Sequence, residues 1–190
     1  MKPIGREQYF WHYPKSNLPI RHITKKTEPH FEIGAENYLR ACLPYNLQNF
    51  KNSFEKYLFL CTRCRNKKAG GGRFNGHRFI VGYIKRGDFI RRKNRTALIG
   101  KNYMVPFNEK LMYENLGLRR TKWMQKIDAR TTKKILRRIH SLKNIRRKII
   151  REMLRLEREA CEAGKKIPLK KECLKKKCKY KKSCLRRKYE

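Results

Sequence analysis

Two short apolar segments decide the fold of this chain: residues 57–62, Tyr-Leu-Phe-Leu-Cys-Thr, and residues 78–84, Arg-Phe-Ile-Val-Gly-Tyr-Ile. Both are rich in aromatic and β-branched residues and are bounded by Gly, Asn or charged residues, as β-strands usually are. Residues 63–76, which join them, are glycine-rich, strongly basic and too polar to be buried. The pattern therefore predicts two core strands of a small β domain that presents its basic loop to an anion.

The net charge of the chain predicts a polyanionic partner. Its 190 residues include 52 Lys and Arg against 15 Asp and Glu, a formal net charge of +37. Repulsion of this size destabilises a compact monomer. Nucleic acid is the first candidate partner because basic proteins gain affinity by releasing the counterions of a polyphosphate, and we favour RNA over DNA. An anionic protein or a membrane surface is the alternative.

Membrane and secretion signals are not expected from this sequence. No stretch of about 20 apolar residues could form a membrane span, and the N-terminus lacks the apolar core of a secretory signal. With seven cysteines, these features favour a cytoplasmic or other reducing compartment, in which thiols bind metal or stay free.

The regions around the two strands carry weaker signals. Four prolines and an aromatic cluster within residues 1–30 predict an extended arm without regular structure, whose aromatics pack on the β domain or stack on bases. Residues 35–43 have helical spacing and end before Pro44, which predicts a helix. A basic turn, two strands and a short helix closed by Gly117 are then predicted at residues 85–95, 96–100, 103–107 and 108–118.

Over about residues 30–118, the order of the strand Tyr-Leu-Phe-Leu-x-Thr, the basic glycine-bearing loop and Phe-Ile-Val-Gly-Tyr-Ile resembles the PUA-like superfamily, especially its EVE and ASCH-type branches. Members are small mixed barrels that cradle a nucleotide, often with a modified base. The resemblance implies an α+β fold with a mixed β-barrel-like domain and a pocket near the strand ends. The unusually basic loop departs from the family and leaves a simple phosphate-binding surface as the alternative. The candidate base pocket comprises Trp11, Phe59, Thr62, Arg63, Asn66 and Tyr83.

A long basic helix is predicted after this domain. Residues 131–163 carry apolar residues at steps of three, four or seven, the pattern of an amphipathic helix on the order of 50 Å long. Thr131 or Asp128 is its candidate N-cap and Gly164 its stop. Acidic residues are nearly absent before Glu152, so i,i+4 pairs cannot neutralise its cations, which are predicted to contact phosphates or, alternatively, an acidic groove of a protein.

The side chains predicted to bind nucleic acid fall into two groups. The loop and the turn that follows the second strand contribute Arg63, Arg65, Asn66, Lys67, Lys68, Arg73, Arg91 and Arg92. The helix contributes Lys133, Lys134, Arg137, Arg138, Lys143, Arg146, Arg147, Lys148 and Arg151.

The last element is a cysteine cluster in a basic tail. Four cysteines predict a tetrahedral metal site that would supply the folding free energy of a segment with few apolar residues: Cys161, Cys173, Cys178 and Cys184. Zn²⁺ is the expected metal, and an iron–sulfur cluster with the same ligands is the alternative. Residues 178–184 are similar to the second half of a CCCH zinc finger, although Lys188 stands where that family has His. Cys61 and Cys64 form a second, weaker half-site that is better explained as core or free thiols.

Four segments follow from these patterns: an arm at 1–30, a β-rich domain at 31–118, a basic helix at 119–164 and a cysteine-rich tail at 165–190. The sequence favours a non-enzymatic nucleic-acid-binding protein, with a ribosome-associated structural protein as a close variant. Acidic residues are few and dispersed, and no phosphate-loop signature is present. A nucleic-acid-processing enzyme with a structural metal site is therefore the less favoured alternative.

Overall fold

The computed structural model describes residues 4–21, 30–33, 39–43, 55–92, 95–119 and 125–162. The strands are β1 Gly5–Phe10, β2 His30–Ile33, β3 Leu39–Leu43, β4 Tyr57–Arg63, β5 Arg78–Lys85, β6 Phe89–Arg92, β7 Arg95–Leu98, β8 Asn102–Met104 and β9 Lys126–Ile127. The α-helices are α1 Tyr113–Leu116, α2 Ala129–His140 and α3 Arg146–Glu162, with 3₁₀ turns at Ala69–Gly72 and Glu109–Leu111. None of the helices in these ranges is both long and apolar enough to cross a bilayer.

The two apolar segments are the central strands of the protein, as predicted. β4 and β5 pair antiparallel, from Tyr57 opposite Lys85 to Arg63 opposite Arg78, with a register shift between Leu60 and Cys61. They belong to an open five-stranded sheet of order β8-β5-β4-β1-β9. Their apolar runs are nearly continuous because side chains on both faces of this sheet are buried.

The first strand was not predicted. β1 lies parallel to β4, with Gly5 opposite Tyr57 and Phe10 opposite Thr62, so the expectation of an irregular arm over residues 1–30 is wrong for residues 5–10. The prolines at 14 and 19 lie beyond the strand and do not interrupt its ladder. Gly5 allows β1 to lie close to the Phe59 ring of β4, because a Cβ at position 5 would collide with that ring.

A smaller sheet has the order β2-β3-β7-β6. The helix predicted at residues 35–43 is wrong for residues 39–43, which form β3 and pair antiparallel with both β2 and β7. Residues 34–38 lie outside the described ranges. The two strands predicted at 96–100 and 103–107 are confirmed in shorter form as β7 and β8, while the predicted basic turn contains β6.

Helices cover both faces of the five-stranded sheet. One face buries Phe10, Leu60 and Phe79 with Ile149 and Met153 of α3. The other face buries Phe59, Cys61 and Ile80 with Ile135 and Ile139 of α2. The α+β class is therefore as predicted, but the described strands form two sheets in place of the predicted barrel. Each face of the five-stranded sheet packs against a helix, so the sheet stays open and does not curl into a barrel.

The predicted 50 Å helix is two helices on opposite faces of the sheet. α2 ends at His140 and α3 begins at Arg146. Asn144 explains the break. Its Oδ1 accepts hydrogen bonds from the backbone N–H of Arg146 at 3.0 Å and from the backbone N–H of Met104 of β8 at 3.3 Å. Two of the predicted caps are confirmed: Asp128 accepts from the N–H of Thr131, and Gly117 ends α1 in the left-handed conformation. Gly164, the predicted stop of the long helix, lies outside the described residues.

Candidate nucleic-acid interface

Two loops emerge side by side at one edge of the five-stranded sheet. β1 and β4 are parallel neighbours, so their carboxyl ends, Phe10 and Arg63, lie at the same edge. Residues 11–21, the N-terminal loop, follow β1, and residues 64–77, the glycine loop, follow β4.

Backbone and hydroxyl hydrogen bonds hold the N-terminal loop in a folded turn. The N–H of Tyr13 donates to Ile20 O at 2.9 Å, and the N–H of Leu18 donates to Oγ of Ser16 at 3.0 Å. His12 and Arg21 form an isolated β-bridge. These bonds leave Lys15 and Asn17 exposed at the tip of the turn.

Buried anchors hold the glycine loop while its cations face solvent. Cys64 is fully buried and closes the loop, since its N–H donates to His77 O and its carbonyl accepts from Gly76, both at 2.9 Å. Ala69 is also buried, and Arg63 donates from Nε to Gly76 O at 2.7 Å. The prediction that this basic segment is exposed therefore holds for its charged side chains but not for these apolar anchors.

A histidine joins the two loops. His12 is fully buried, and its Nδ1 accepts from the backbone N–H of Arg65 at 3.1 Å. Because Nδ1 is an acceptor, Nε2 carries the ring proton and donates it to Leu18 O at 2.9 Å. The ring also meets Phe107 edge-on, with centroids 5.0 Å apart. His12 thus fixes the separation of the two loops.

The loops enclose a polar cleft of about 510 Å³. Asn66 ties its walls together, because Nδ2 donates to Asn17 Oδ1 and Oδ1 accepts from the N–H of Lys68, both at 2.8 Å. Four cations line the cleft, and within the described part of the chain no carboxylate lies within 4.0 Å of them. The lining residues are Pro14, Lys15, Asn17, Arg65, Asn66, Lys67 and Lys68.

An aromatic side chain packs against one of the cleft's cations. The Arg65 guanidinium lies 4.1 Å from the centroid of the Trp11 ring, and Trp11 in turn packs edge-on against Tyr9 at 5.9 Å. A cation over an indole face is attracted by the ring quadrupole. Arg65 is therefore oriented before any ligand arrives.

The structure separates the members of the predicted base pocket. Trp11, Arg63 and Asn66 lie at the two loops, but Phe59 and Thr62 are fully buried, and Thr62 Oγ1 donates to Phe10 O at 2.7 Å. The prediction that these two residues line a pocket is wrong, because Phe59 packs in the core with α2 and Thr62 is hydrogen-bonded to the neighbouring strand β1. Tyr83 lies elsewhere, beside His140 at the end of α2.

Two of the predicted helix cations donate hydrogen bonds to backbone carbonyls of the protein itself, and most of the others are exposed to solvent. Lys134 donates from Nζ to Asn115 O at 3.1 Å, and the Arg138 guanidinium donates to the same carbonyl and to that of Lys110. These two cations therefore hold α2 against the segment that contains α1. Arg146 is half-buried, and Arg91 and Arg92 lie in β6 with side chains outside the described parts. Besides Lys134, the exposed members of the predicted helix group are Lys133, Arg137, Lys143, Arg147, Lys148 and Arg151.

Lys15 and Asn17 were not predicted as site residues. They lie about 50 positions before the glycine loop in the sequence, and only the parallel pairing of β1 and β4 brings them to it. The one available signal was the Pro-Lys-Ser-Asn turn at residues 14–17, which marks an exposed loop without naming its neighbour.

The described cysteines are core residues. Cys61 and Cys64 are fully buried and free, and desolvation raises the pKa of both thiols, that of Cys61 strongly. Cys161 belongs to α3, but its side chain and the residues Cys173, Cys178 and Cys184 lie outside the described ranges. In the part that is described, no group of three or more His, Cys, Asp or Glu could hold a metal ion.

No protein-family model, curated protein or solved structure matches this chain.

Proposed function

We propose that this chain is a non-enzymatic nucleic-acid-binding protein whose cleft between the N-terminal loop and the glycine loop holds the phosphates of a single strand. The observation that carries the proposal is the convergence of Lys15, Arg65, Lys67 and Lys68 on one cleft with no neutralising carboxylate among the described residues. Uncompensated cations at this density repel each other, and polyphosphate relieves that repulsion while its counterions are released.

A single strand suits the cleft better than a duplex. Proteins that bind single strands combine a positively charged groove with aromatic side chains. Here four cations line the cleft, and one of them, Arg65, lies over the ring of Trp11. RNA is preferred to DNA because proteins typically recognise RNA through unpaired bases in its single-stranded loops and ends. The exposed cations of α2 and α3 add positive charge on both faces of the sheet.

A second element of the proposal concerns the C-terminal tail. Cys161, Cys173, Cys178 and Cys184 would hold Zn²⁺, with an iron–sulfur cluster as the alternative, and the lysines around them would offset the negative charge of a four-thiolate centre. Small metal-bound knots on highly basic chains suit a ribosome-associated protein, which is the narrower form of this proposal.

Salt titration of RNA binding tests the proposal. Fluorescence anisotropy of a labelled oligouridylate is measured against salt for the wild type and for the triple variant Lys15→Gln, Lys67→Gln, Lys68→Gln. Each lost phosphate contact reduces the log–log slope by roughly 0.7 for a single strand, so the triple variant should lose about 2. The matched control Lys110→Gln, Lys126→Gln, Arg130→Gln removes equal charge from exposed positions outside the cleft and should change the slope less.

Three outcomes would contradict the proposal. Equal slopes for the wild type and the cleft variant would show that phosphates bind elsewhere. Binding of neither RNA nor the matching DNA would remove the nucleic-acid reading altogether. Cleavage or modification of the oligonucleotide with added Mg²⁺ or Mn²⁺ would replace it by an enzymatic one.

A further inference from the structure

A row of aromatic side chains crosses three strands of the five-stranded sheet, away from the cleft. Tyr103 of β8 is opposite Tyr83 of β5, which is opposite Phe59 of β4. Directly opposed residues of antiparallel strands project from the same face, so the three rings form one row. Tyr57, two residues before Phe59, lies on the same face and meets Tyr83 edge-on at a centroid distance of 5.4 Å.

The members of this row differ in their exposure. Phe59 is fully buried and forms the floor, whereas Tyr57, Tyr83 and Tyr103 are half-buried. The reason is the length of α2, which covers the neighbouring part of this face but ends at His140. Tyrosines beyond the end of the helix keep part of their rings in solvent. Tyr57, Tyr83 and Tyr103 therefore pack against the core on one side and keep part of their surface available to a ligand.

The exposed rings are held in fixed orientations. Tyr103 donates from its hydroxyl to Leu142 O at 2.9 Å, and the Tyr83 hydroxyl lies 3.0 Å from His140 Nε2. Tyr83 and Tyr103 are nearly parallel, with an interplanar angle of 14° and centroids 6.1 Å apart. His140 meets both rings edge-on, at 5.8 and 5.5 Å. Rings fixed in this way lose little entropy when a flat ligand settles on them.

Two cations flank the aromatic row. Lys85 is opposite Tyr57 in the β4–β5 ladder, and the ladder continues to Lys101, whose carbonyl accepts from the N–H of Lys85 at 2.8 Å. Lys101 is two positions before Tyr103 and so belongs to the same face. Both lysines are exposed, and in the described ranges neither has a carboxylate within 4.0 Å.

We infer that Tyr57, Tyr83, Tyr103 and His140 form an aromatic platform for the unpaired bases of single-stranded RNA, on which a base stacks on one ring and meets neighbouring rings edge-on. Lys85 and Lys101 are placed for the adjoining phosphates. Every base has a π-face, so such a platform accepts bases with little sequence preference. This inference rests on the proposed function and assigns separate surfaces to the phosphates and the bases of the strand. The cleft would hold phosphates, and the platform, about 20 Å away along β4 from Tyr57 to Arg63, would hold bases.

The test compares two oligonucleotides of equal length and charge, an oligouridylate and an abasic strand. The variant Tyr57→Leu, Tyr83→Leu removes two rings but keeps apolar side chains, and Tyr57→Phe, Tyr83→Phe is the control that keeps both rings. The leucine variant should bind the oligouridylate roughly 5- to 150-fold more weakly than the wild type and the abasic strand equally well. The phenylalanine variant should stay within about twofold of the wild type on both strands.

Unchanged binding of the oligouridylate by the folded leucine variant would overturn the platform while leaving the cleft intact. If the wild type binds neither strand, the proposed function fails, and the platform with it. Should the leucine variant not fold, photocrosslinking of a 5-iodouridine oligonucleotide to the wild type decides the matter. Crosslinks at Tyr57, Tyr83, Tyr103 or His140 support the platform, and crosslinks confined to other peptides overturn it. If the leucine variant no longer binds an added acidic decapeptide that the wild type binds, but still binds RNA as the wild type does, the surface is a protein-binding site instead.

Discussion

The backbone N–H of Arg65 donates a hydrogen bond to Nδ1 of His12, 3.1 Å away and more than fifty residues earlier in the chain. The same imidazole reaches Leu18 O through Nε2, so one buried side chain spans the N-terminal loop and meets the glycine loop. The cleft therefore owes its width to a neutral histidine and not to its cations.

We expect His12→Ala to destabilise the protein by about 2–4 kcal/mol, because it removes a buried ring and leaves the Arg65 N–H and the Leu18 carbonyl without their partner. His12→Asn keeps an acceptor near the position of Nδ1 and should lose less. Urea denaturation measures both free energies of unfolding. Equal losses for the two variants would show that packing against Phe107 matters and the hydrogen bond to Arg65 does not.

Two neighbouring glycines of the glycine loop should respond differently to alanine. Gly70 and Gly71 are both left-handed, with φ of 59° and 65°, so alanine at either position costs about 1–2 kcal/mol. A Cβ at Gly70 would also lie 2.6 Å from the Phe74 ring, whereas one at Gly71 meets nothing within 4 Å. In thermal unfolding, the melting temperature of Gly70→Ala should therefore be lower than that of Gly71→Ala. The reverse order would mean that the loop does not pack on Phe74.

The stability of the wild type should depend on pH through Glu7. This side chain is 1 % exposed, and burial raises the pKa of its carboxyl above the ordinary 4.5, although the hydroxyl of Tyr113 donates to it and partly opposes the shift. The folded state thus binds the proton more tightly, and the resulting stability, complete below the unfolded pKa, is lost as the pH rises through the folded pKa. As the pH rises from about 3 to about 7, the free energy of unfolding of Glu7→Gln should therefore increase relative to that of the wild type.

Asp128→Asn is the contrast for that measurement. Hydrogen bonds from Thr131 lower the pKa of Asp128, so its carboxylate contributes stability above the unfolded pKa and loses it as the pH falls. Relative to the wild type, Asp128→Asn should lose stability as the pH rises. Urea unfolding of the three proteins at both pH values checks the two signs, and parallel trends in the two variants would refute the assignment to Glu7.

Metal content should follow the C-terminal cysteines and not the core ones. Protein purified without chelator should contain about one equivalent of Zn²⁺, and Cys173→Ser, Cys178→Ser should lose it. Cys64→Ala should retain the metal, because Cys64 is a buried free thiol. Elemental analysis with an absorption spectrum separates zinc from an iron–sulfur cluster. Metal-free wild-type protein would refute the site.

Local signals in the sequence were sufficient for elements whose pattern is repeated or capped. The apolar runs of β4 and β5 predicted the central strand pair, Asp128 was one of two candidate N-caps with Thr131, and Gly117 was the predicted end of a short helix. The break between α2 and α3 also carried a local signal, since Asn144 is a good N-cap residue, but the apolar steps continue through it. Hydrophobic spacing alone cannot show that a chain leaves one face of a sheet and returns on the other.

The remaining errors came from residues whose structure depends on distant partners. Residues 39–43 are too few to separate helical from strand spacing, and pairing with β7 makes them a strand. Thr62 was expected in a pocket because the sequence does not show that Phe10 O accepts its hydroxyl proton. The cleft likewise needs Lys15 and Lys68, which are far apart in sequence and are brought together by the parallel β1–β4 ladder.

The sequence by itself determined the α+β class, the two central strands, the exposed basic loop and the excess of positive charge, because each depends on residue type or on spacing within one element. Only the tertiary structure decided which loops share a cleft, which cations are tied to carbonyls and which tyrosines remain exposed. Those features depend on pairing between strands and on where α2 ends, and neither is encoded within a single short segment of the chain.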